Sequence, residues 1–166
     1  TGKFVTADRQ MADVVGLGLR RMARQNPEQA IEWLEFYGNR LPFSSEEKVA
    51  IARSIGLTLA KRFDARALKV MAQYDPELRD NTVSEWRTRL LLRLGRWNEA
   101  HELTLKLPQE LASTPRWRYW QARSLQLAQP QNPQVPLLYA PVANERDIYG
   151  FMAADQVKQS YQLNNR

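Results

Sequence analysis

Asn26-Pro27-Glu28-Gln29 packs three helix-start signals into four residues. An asparagine side chain accepts a hydrogen bond from a backbone N–H that the first turn leaves unpaired. Proline is pre-set for the first helical position, and a glutamine three residues on completes a capping box. Upstream, Met11, Val14, Val15, Leu19 and Met22 recur at helical intervals between about Thr6 and Gln25. Arg20, Arg21 and Arg24 close that stretch, where cations favour the negative pole of the helix dipole. One helix therefore ends at Gln25 and another begins at once. Comparable cap residues return at Asp64, Asn98 and Asn132, at successive intervals of 38, 34 and 34 residues. Two helices with their turns fill about that length, the period of tetratricopeptide-like arrays.

The rest of the chain continues the pattern. Ile31, Leu34 and Tyr37 carry the second helix towards Pro42, and Ser44 with Glu47 forms a further capping box ahead of Ile51, Ile55 and Leu59. Asp64 opens a helix through Leu68 and Met71, and Thr82 with Glu85 opens another with Trp86, Leu90 and Leu94 spaced by four. Gly95-Arg96-Trp97-Asn98 turns into a helix that Pro108 closes; Thr114-Pro115 starts the next, running to about Ala128. Pro130, Pro133, Pro136 and Pro141 cannot all sit in one regular helix, so 129–143 is expected to be a short distorted helix or an extended connector. Asn144 is expected to cap a last helix bearing Ile148, Phe151, Met152 and Val157.

Phe63 and Trp97, each one residue before a cap, read as staples of the following helix. Gly56, Ala65, Ala67 and Ala100 mark places where helices approach closely. Sustained two-residue alternation is missing, so no sheet is expected. The predicted class is all-α: a right-handed superhelix, or solenoid, of stacked helical hairpins, since one hairpin cannot close a core alone.

Composition narrows function. The apolar share of 43% and charged share of 25% are those of a folded chain. No apolar run approaches the roughly 18 residues of a membrane span. The absence of cysteine excludes disulfides and thiolate metal sites. Thr1 stands first and Met11 is the first methionine, which reads as a piece of a longer protein. A net charge of +6 and a pI near 9.8 suit anionic partners, although the basic residues are dispersed as solvated helix faces usually are.

Catalytic constellations are sparse. Glu32 with Glu35 and Glu99 with Glu102 share helix faces but lie in ordinary amphipathic sequence, and read as surface charge. His101 lacks a ligand or nucleophile at useful spacing and reads as a solvent-edge or packing residue. Gly16-Leu17-Gly18 follows no strand, so tight helix contact explains it better than a nucleotide loop. The expectation is no catalytic residue, no metal and no cofactor. The richest cluster is Trp117-Arg118-Tyr119-Trp120-Gln121-Ala122-Arg123, whose rings suit stacking and whose guanidinium groups suit anions. Candidate binding residues are Trp117, Arg118, Tyr119 and Arg123, with Tyr149 downstream; the competing reading puts the tryptophans in the core.

The same stretch, followed by Glu145-Arg146-Asp147-Ile148-Tyr149-Gly150-Phe151-Met152-Ala153-Ala154-Asp155 and then Tyr161-Gln162-Leu163, resembles the late superhelical domain of soluble lytic murein transglycosylases. The resemblance implies hairpin repeats over 1–143, a final helix and the start of a linker domain over 144–166, and a lysozyme-like catalytic domain outside this chain. It implies a periplasmic bacterial protein that cleaves peptidoglycan between N-acetylmuramic acid and N-acetylglucosamine, leaving a 1,6-anhydromuramoyl end. The family's acid is a glutamate followed by serine; no Glu-Ser dipeptide occurs here, so no position inherits that role. Expected partners are peptidoglycan, the parent's own catalytic domain and other proteins, with no nucleic acid. The prolines around 133–141 depart from the family pattern. A tetratricopeptide-like adaptor holding a peptide in its concave groove is the alternative, and a nucleic-acid-binding repeat is a third.

Overall fold

The computed structural model describes residues 2–163, with side chains from 7 to 158; among these all regular structure is helical. The chain divides into two units, Thr1–Pro76 with Thr82–Leu90, and Glu77–Asn81 with Leu91–Arg166. The first unit holds α1 (Gly2–Gln25), α2 (Pro27–Tyr37), α3 (Ser45–Lys61) and α4 (Arg66–Tyr74), while α5 (Asn81–Arg93) supplies residues to both. The second holds α6 (Trp97–Leu105), α7 (Gln109–Ala112), α8 (Pro115–Ala128), α9 (Gln134–Ala143) and α10 (Ile148–Leu163).

In the first unit α1 packs on α2 and α3, α2 on α3, and α3 on α4. Contact between alternate helices is what stacked hairpins require, because each hairpin covers the apolar face of its neighbour. Leu19, Leu34, Ile55, Leu59 and Met71 meet in that core. Gly56 is needed for the α3–α4 approach, since a Cβ there would stand 2.9 Å from Met71 Cγ. Gly16 likewise faces Phe43, whereas Gly18 faces open space, so only one of that glycine pair serves close packing. Of the small residues expected at helix contacts, Ala67 and Ala100 are buried but Ala65 is exposed. The buried stripe of α1 is Ala12, Leu19 and Ala23; Met11, Val14 and Leu17 lie on its exposed side.

The caps sort by geometry. Asn26 Oδ1 accepts from Gln29 N, and both halves of the Ser44–Glu47 box form. Arg9 also binds Glu47 and holds its carboxyl below the usual range, with the Ser44 N–H contributing. Ser44→Ala is expected to lower stability by about 1 kcal/mol in chemical denaturation, because the Glu47 N–H then has no side-chain acceptor. Asp64 and Asn132 are corrected by one residue: the N-caps of α4 and α9 are Ala65 and Pro133, and the two side chains instead close the preceding turns by accepting from Arg66 N and Gln134 N, each at 2.9 Å. Asn98 is a correction: it lies inside α6, whose N-cap is Arg96. Thr82 similarly lies within α5, one residue past its start.

The staple reading is corrected too. Phe63 closes α3 in a Schellman motif, with Asp64 N bonded to Leu59 O at 3.0 Å and Phe63 N to Ala60 O at 2.9 Å. The α5 terminus repeats the motif around Gly95, with Arg96 N bonded to Leu91 O at 2.9 Å and Gly95 N to Leu92 O at 3.2 Å. Phe63 thus corresponds to Gly95, while Trp97 is the first residue of α6. Both rings stand well exposed.

In the second unit α6 packs on α8, α8 on α9 and α10, and α9 on α10. The proline-rich stretch folds as the ten-residue α9, with Pro136 in the first turn, where no intrahelical N–H is lost, and Pro141 inside. Burial of Val135, Tyr139 and Val142 offsets that interior proline. Asn144 is the C-cap of α9; the following helix is opened by Asp147, whose Oδ1 accepts from Gly150 N at 2.8 Å. The inward face of α10 is Tyr149, Ala153 and Val157, leaving Ile148 and Phe151 exposed. The expected boundary at 143/144 falls between α9 and α10 within one unit. Residues 164–166 of the expected linker start lie outside the described residues, as do the side chains of Tyr161, Gln162 and Leu163.

Candidate functional site

Of the candidate binding residues, Tyr119, Arg123 and Tyr149 are brought together where α8, α9 and α10 meet, whereas Trp117 faces Asn81 of α5. Pro115 stands at the first position of α8, where its missing N–H is no loss, and both Trp117 and Tyr119 are buried. Trp117 is 1% exposed, and its indole N–H donates to Asn81 Oδ1 at 2.7 Å. Tyr119 is buried against the rings of Trp120, Tyr139 and Tyr149, with centroid distances of 5.5, 6.0 and 5.9 Å. These tilted and edge-on arrangements suit ring quadrupoles. Tyr119 therefore backs the cluster and Trp117 is buried on another face of α8, while Arg118, Arg123 and Tyr149 reach partway to solvent.

A polar network ties the three helices. Arg123 Nη1 and the Tyr139 hydroxyl both donate to Gln126 Oε1, at 2.9 and 2.8 Å, and Gln126 Nε2 donates to Gln156 Oε1 at 3.1 Å. Burial pushes the Tyr139 phenol well above its ordinary value, and burial raises Tyr119 as well; the nearby Arg123 opposes both shifts. Both phenols thus stay neutral, and that of Tyr139 serves as a donor. Arg116 stands 5.6 Å from the centre of the Tyr149 ring, within cation–π range. The Trp120 indole N–H is buried without a hydrogen-bond partner.

Tyr149 owes its position to Gly150. A Cβ at Gly150 would lie 1.9 Å from the Glu145 carbonyl oxygen, so only glycine lets the chain fold tightly enough to bring Tyr149 to Tyr119. Such a site can hold an anion on its guanidinium groups and stack a flat or apolar face. It offers no carboxylate or imidazole for proton transfer. His101 is elsewhere, its Nδ1 lying 3.2 Å from the Gln121 carbonyl oxygen and 3.3 Å from Ser124 Oγ, which pins α6 to α8. Among the described residues no His, Cys, Asp and Glu group has metal-site geometry. Sequence reasoning missed Gln126, Tyr139 and Gln156; Tyr139 sat in the proline-rich stretch, and neither glutamine has a local signal.

Over 89% of its length the chain matches an X-ray structure of an inactive mutant of the lytic transglycosylase Slt from Pseudomonas aeruginosa, at 71% identity and a TM-score of 0.82. The chain is a relative of part of a lytic transglycosylase. It spans 24% of that protein's chain. No protein-family profile matches it, and no curated protein does. The lytic transglycosylase resemblance carried by Trp117–Arg123 and Glu145–Asp155 is borne out, and the helical fold of the described residues matches that part of the relative. No helix among the described residues is long and apolar enough to cross a membrane.

Proposed function

We propose that this chain is a non-catalytic segment of the superhelical scaffold of a soluble lytic transglycosylase. In this reading the parent is a periplasmic protein that cleaves the N-acetylmuramic acid–N-acetylglucosamine bond of peptidoglycan with 1,6-anhydromuramoyl formation. The observation that carries it is the 71% identity over nearly the whole chain to a lytic transglycosylase. The carboxylates support the division of labour. A glycosidase acid needs a pKa raised by an apolar pocket. Here Glu99 and Glu47 are instead held low by Arg96 and Arg9, which keeps them ionised at the surface.

Residues 144–166 would begin the linker to the catalytic domain. The right-handed solenoid would act by positioning: a misplaced scissile bond forfeits most of the advantage of a preorganised site. The partners proposed are peptidoglycan and the parent's own catalytic domain. Arg118, Arg123 and Tyr149 are proposed to face the wall polymer, whose stem peptides carry carboxylates, with Trp117 and Tyr119 holding them in register. Exposed ion pairs contribute little individually and are screened by salt. Co-sedimentation of the pure chain with sacculi is therefore expected to show weak retention at low salt that disappears at high salt. Tight, salt-independent retention would contradict this role.

A further inference from the structure

The first two turns of α10 are apolar on two sides. Tyr149, Ala153 and Val157 pack into the core of the second unit. On the opposite side Ile148, Phe151 and Met152 stand 66%, 69% and 39% exposed. Their spacing of i, i+3 and i+4 places them on one stripe. Between 148 and 154 every exposed residue is apolar, and a polar one first returns at Asp155. Exposed apolar residues scattered singly are ordinary, but a continuous apolar stripe marks a contact surface. A helix that meets water keeps a polar face outward, whereas one apolar on both sides is covered on both. The outermost hairpin of a stack likewise needs a polar outer face, which this stretch of α10 lacks.

We infer that the Ile148–Phe151–Met152 stripe is the seat of a helix from the linker part of the longer protein, an inference that rests on the scaffold reading above. The chemistry of the stripe excludes the wall polymer, because a saccharide needs hydrogen-bonding groups beside its apolar contact and no polar side chain is exposed among 148–154. An amphipathic helix meets the need instead, laying aliphatic residues at the same spacing against the Phe151 ring. Length favours a segment of the same molecule. This chain spans 24% of the lytic transglycosylase it matches, so a protein of that length has ample further chain to supply one. A tethered segment acts at an effective concentration of about 1 mM, far above that of a second copy in dilute solution.

The test exploits the absence of cysteine from this chain. Phe151→Cys marks the stripe and Gln131→Cys, at an exposed turn, is the control. Alkylation is followed by peptide mass spectrometry in the isolated chain and in the longer protein. In the isolated chain both thiols are expected to label at similar rates, with a melting temperature within about 2 °C of the native one. In the longer protein Phe151→Cys is expected to label about tenfold more slowly, at any protein concentration, while Gln131→Cys is unchanged. Met152→Cys repeats the reading with a smaller change of side chain. A benzophenone crosslinker at position 151 is expected to capture linker peptides of the same molecule. Equal labelling of both thiols in the longer protein would overturn the inference. So would protection lost on dilution, which means a second copy, or protection that needs added sacculi, which means the wall polymer. Crosslinks that miss the linker would overturn it too. The scaffold reading is judged separately, by product release from sacculi by the longer protein. An unprotected stripe with intact release therefore removes this seat alone.

Discussion

Gly150→Ala is expected to destabilise the second unit by about 3 kcal/mol or more, among the largest effects of any single methyl added to this chain. The added Cβ would sit 1.9 Å from the Glu145 carbonyl oxygen and 2.8 Å from its carbon. Both are backbone atoms of the turn that launches α10, so relief requires the turn itself to open. Opening it breaks the Gly150 N–H bond to Asp147 Oδ1 and withdraws Tyr149 from Tyr119. Gly56→Ala is the control. Its Cβ meets only the Met71 side chain, which is flexible, so the cost should stay near 1 kcal/mol. Urea unfolding of both variants, followed by tyrosine and tryptophan fluorescence, measures the contrast. Equal effects would mean that the α9–α10 turn is not as tight as described.

Trp117→Ala is expected to cost about 4 kcal/mol, the usual range for emptying a buried aromatic site. Trp117 is among the largest fully buried side chains, and its removal also strips Asn81 Oδ1 of its 2.7 Å donor. Trp117→Phe keeps most of the packing but not the indole N–H, so a loss of about 1–2 kcal/mol is expected. Thermal unfolding by circular dichroism separates the two variants. A small effect of Trp117→Ala would show that the ring is held loosely enough to leave the core, and would return it to the list of ligand contacts.

What the sequence made legible was what local chemistry controls. The Ser44–Glu47 box is complete within four residues and forms as read, and Asn26 caps α2 as read, although its own N–H bonds Met22 O and so leaves the expected Gln29 half of that box unformed. Asn98 and Asn144 misled because an asparagine near a helix end serves either side of a turn: one is absorbed into α6, the other closes α9. The proline-rich segment became a helix because Pro136 falls in the first turn and Tyr139 finds a buried place among α8 and α10. The positive φ of Phe63 was invisible, since nothing in the residue type announces it. The binding cluster was half legible. The run Trp117–Arg123 stood out, but which of its rings turn inward depends on distant partners, Asn81 for Trp117 and Tyr139 and Tyr149 for Tyr119.

The central claim is that this segment supports the cutting of peptidoglycan and does not itself cut. Purified sacculi incubated with the isolated chain, and separately with the longer protein that carries it, decide the matter by mass spectrometry of the released material. The account predicts 1,6-anhydromuropeptides from the longer protein and none from the chain. Anhydromuropeptides released by the chain alone, or none released by the longer protein, would contradict it.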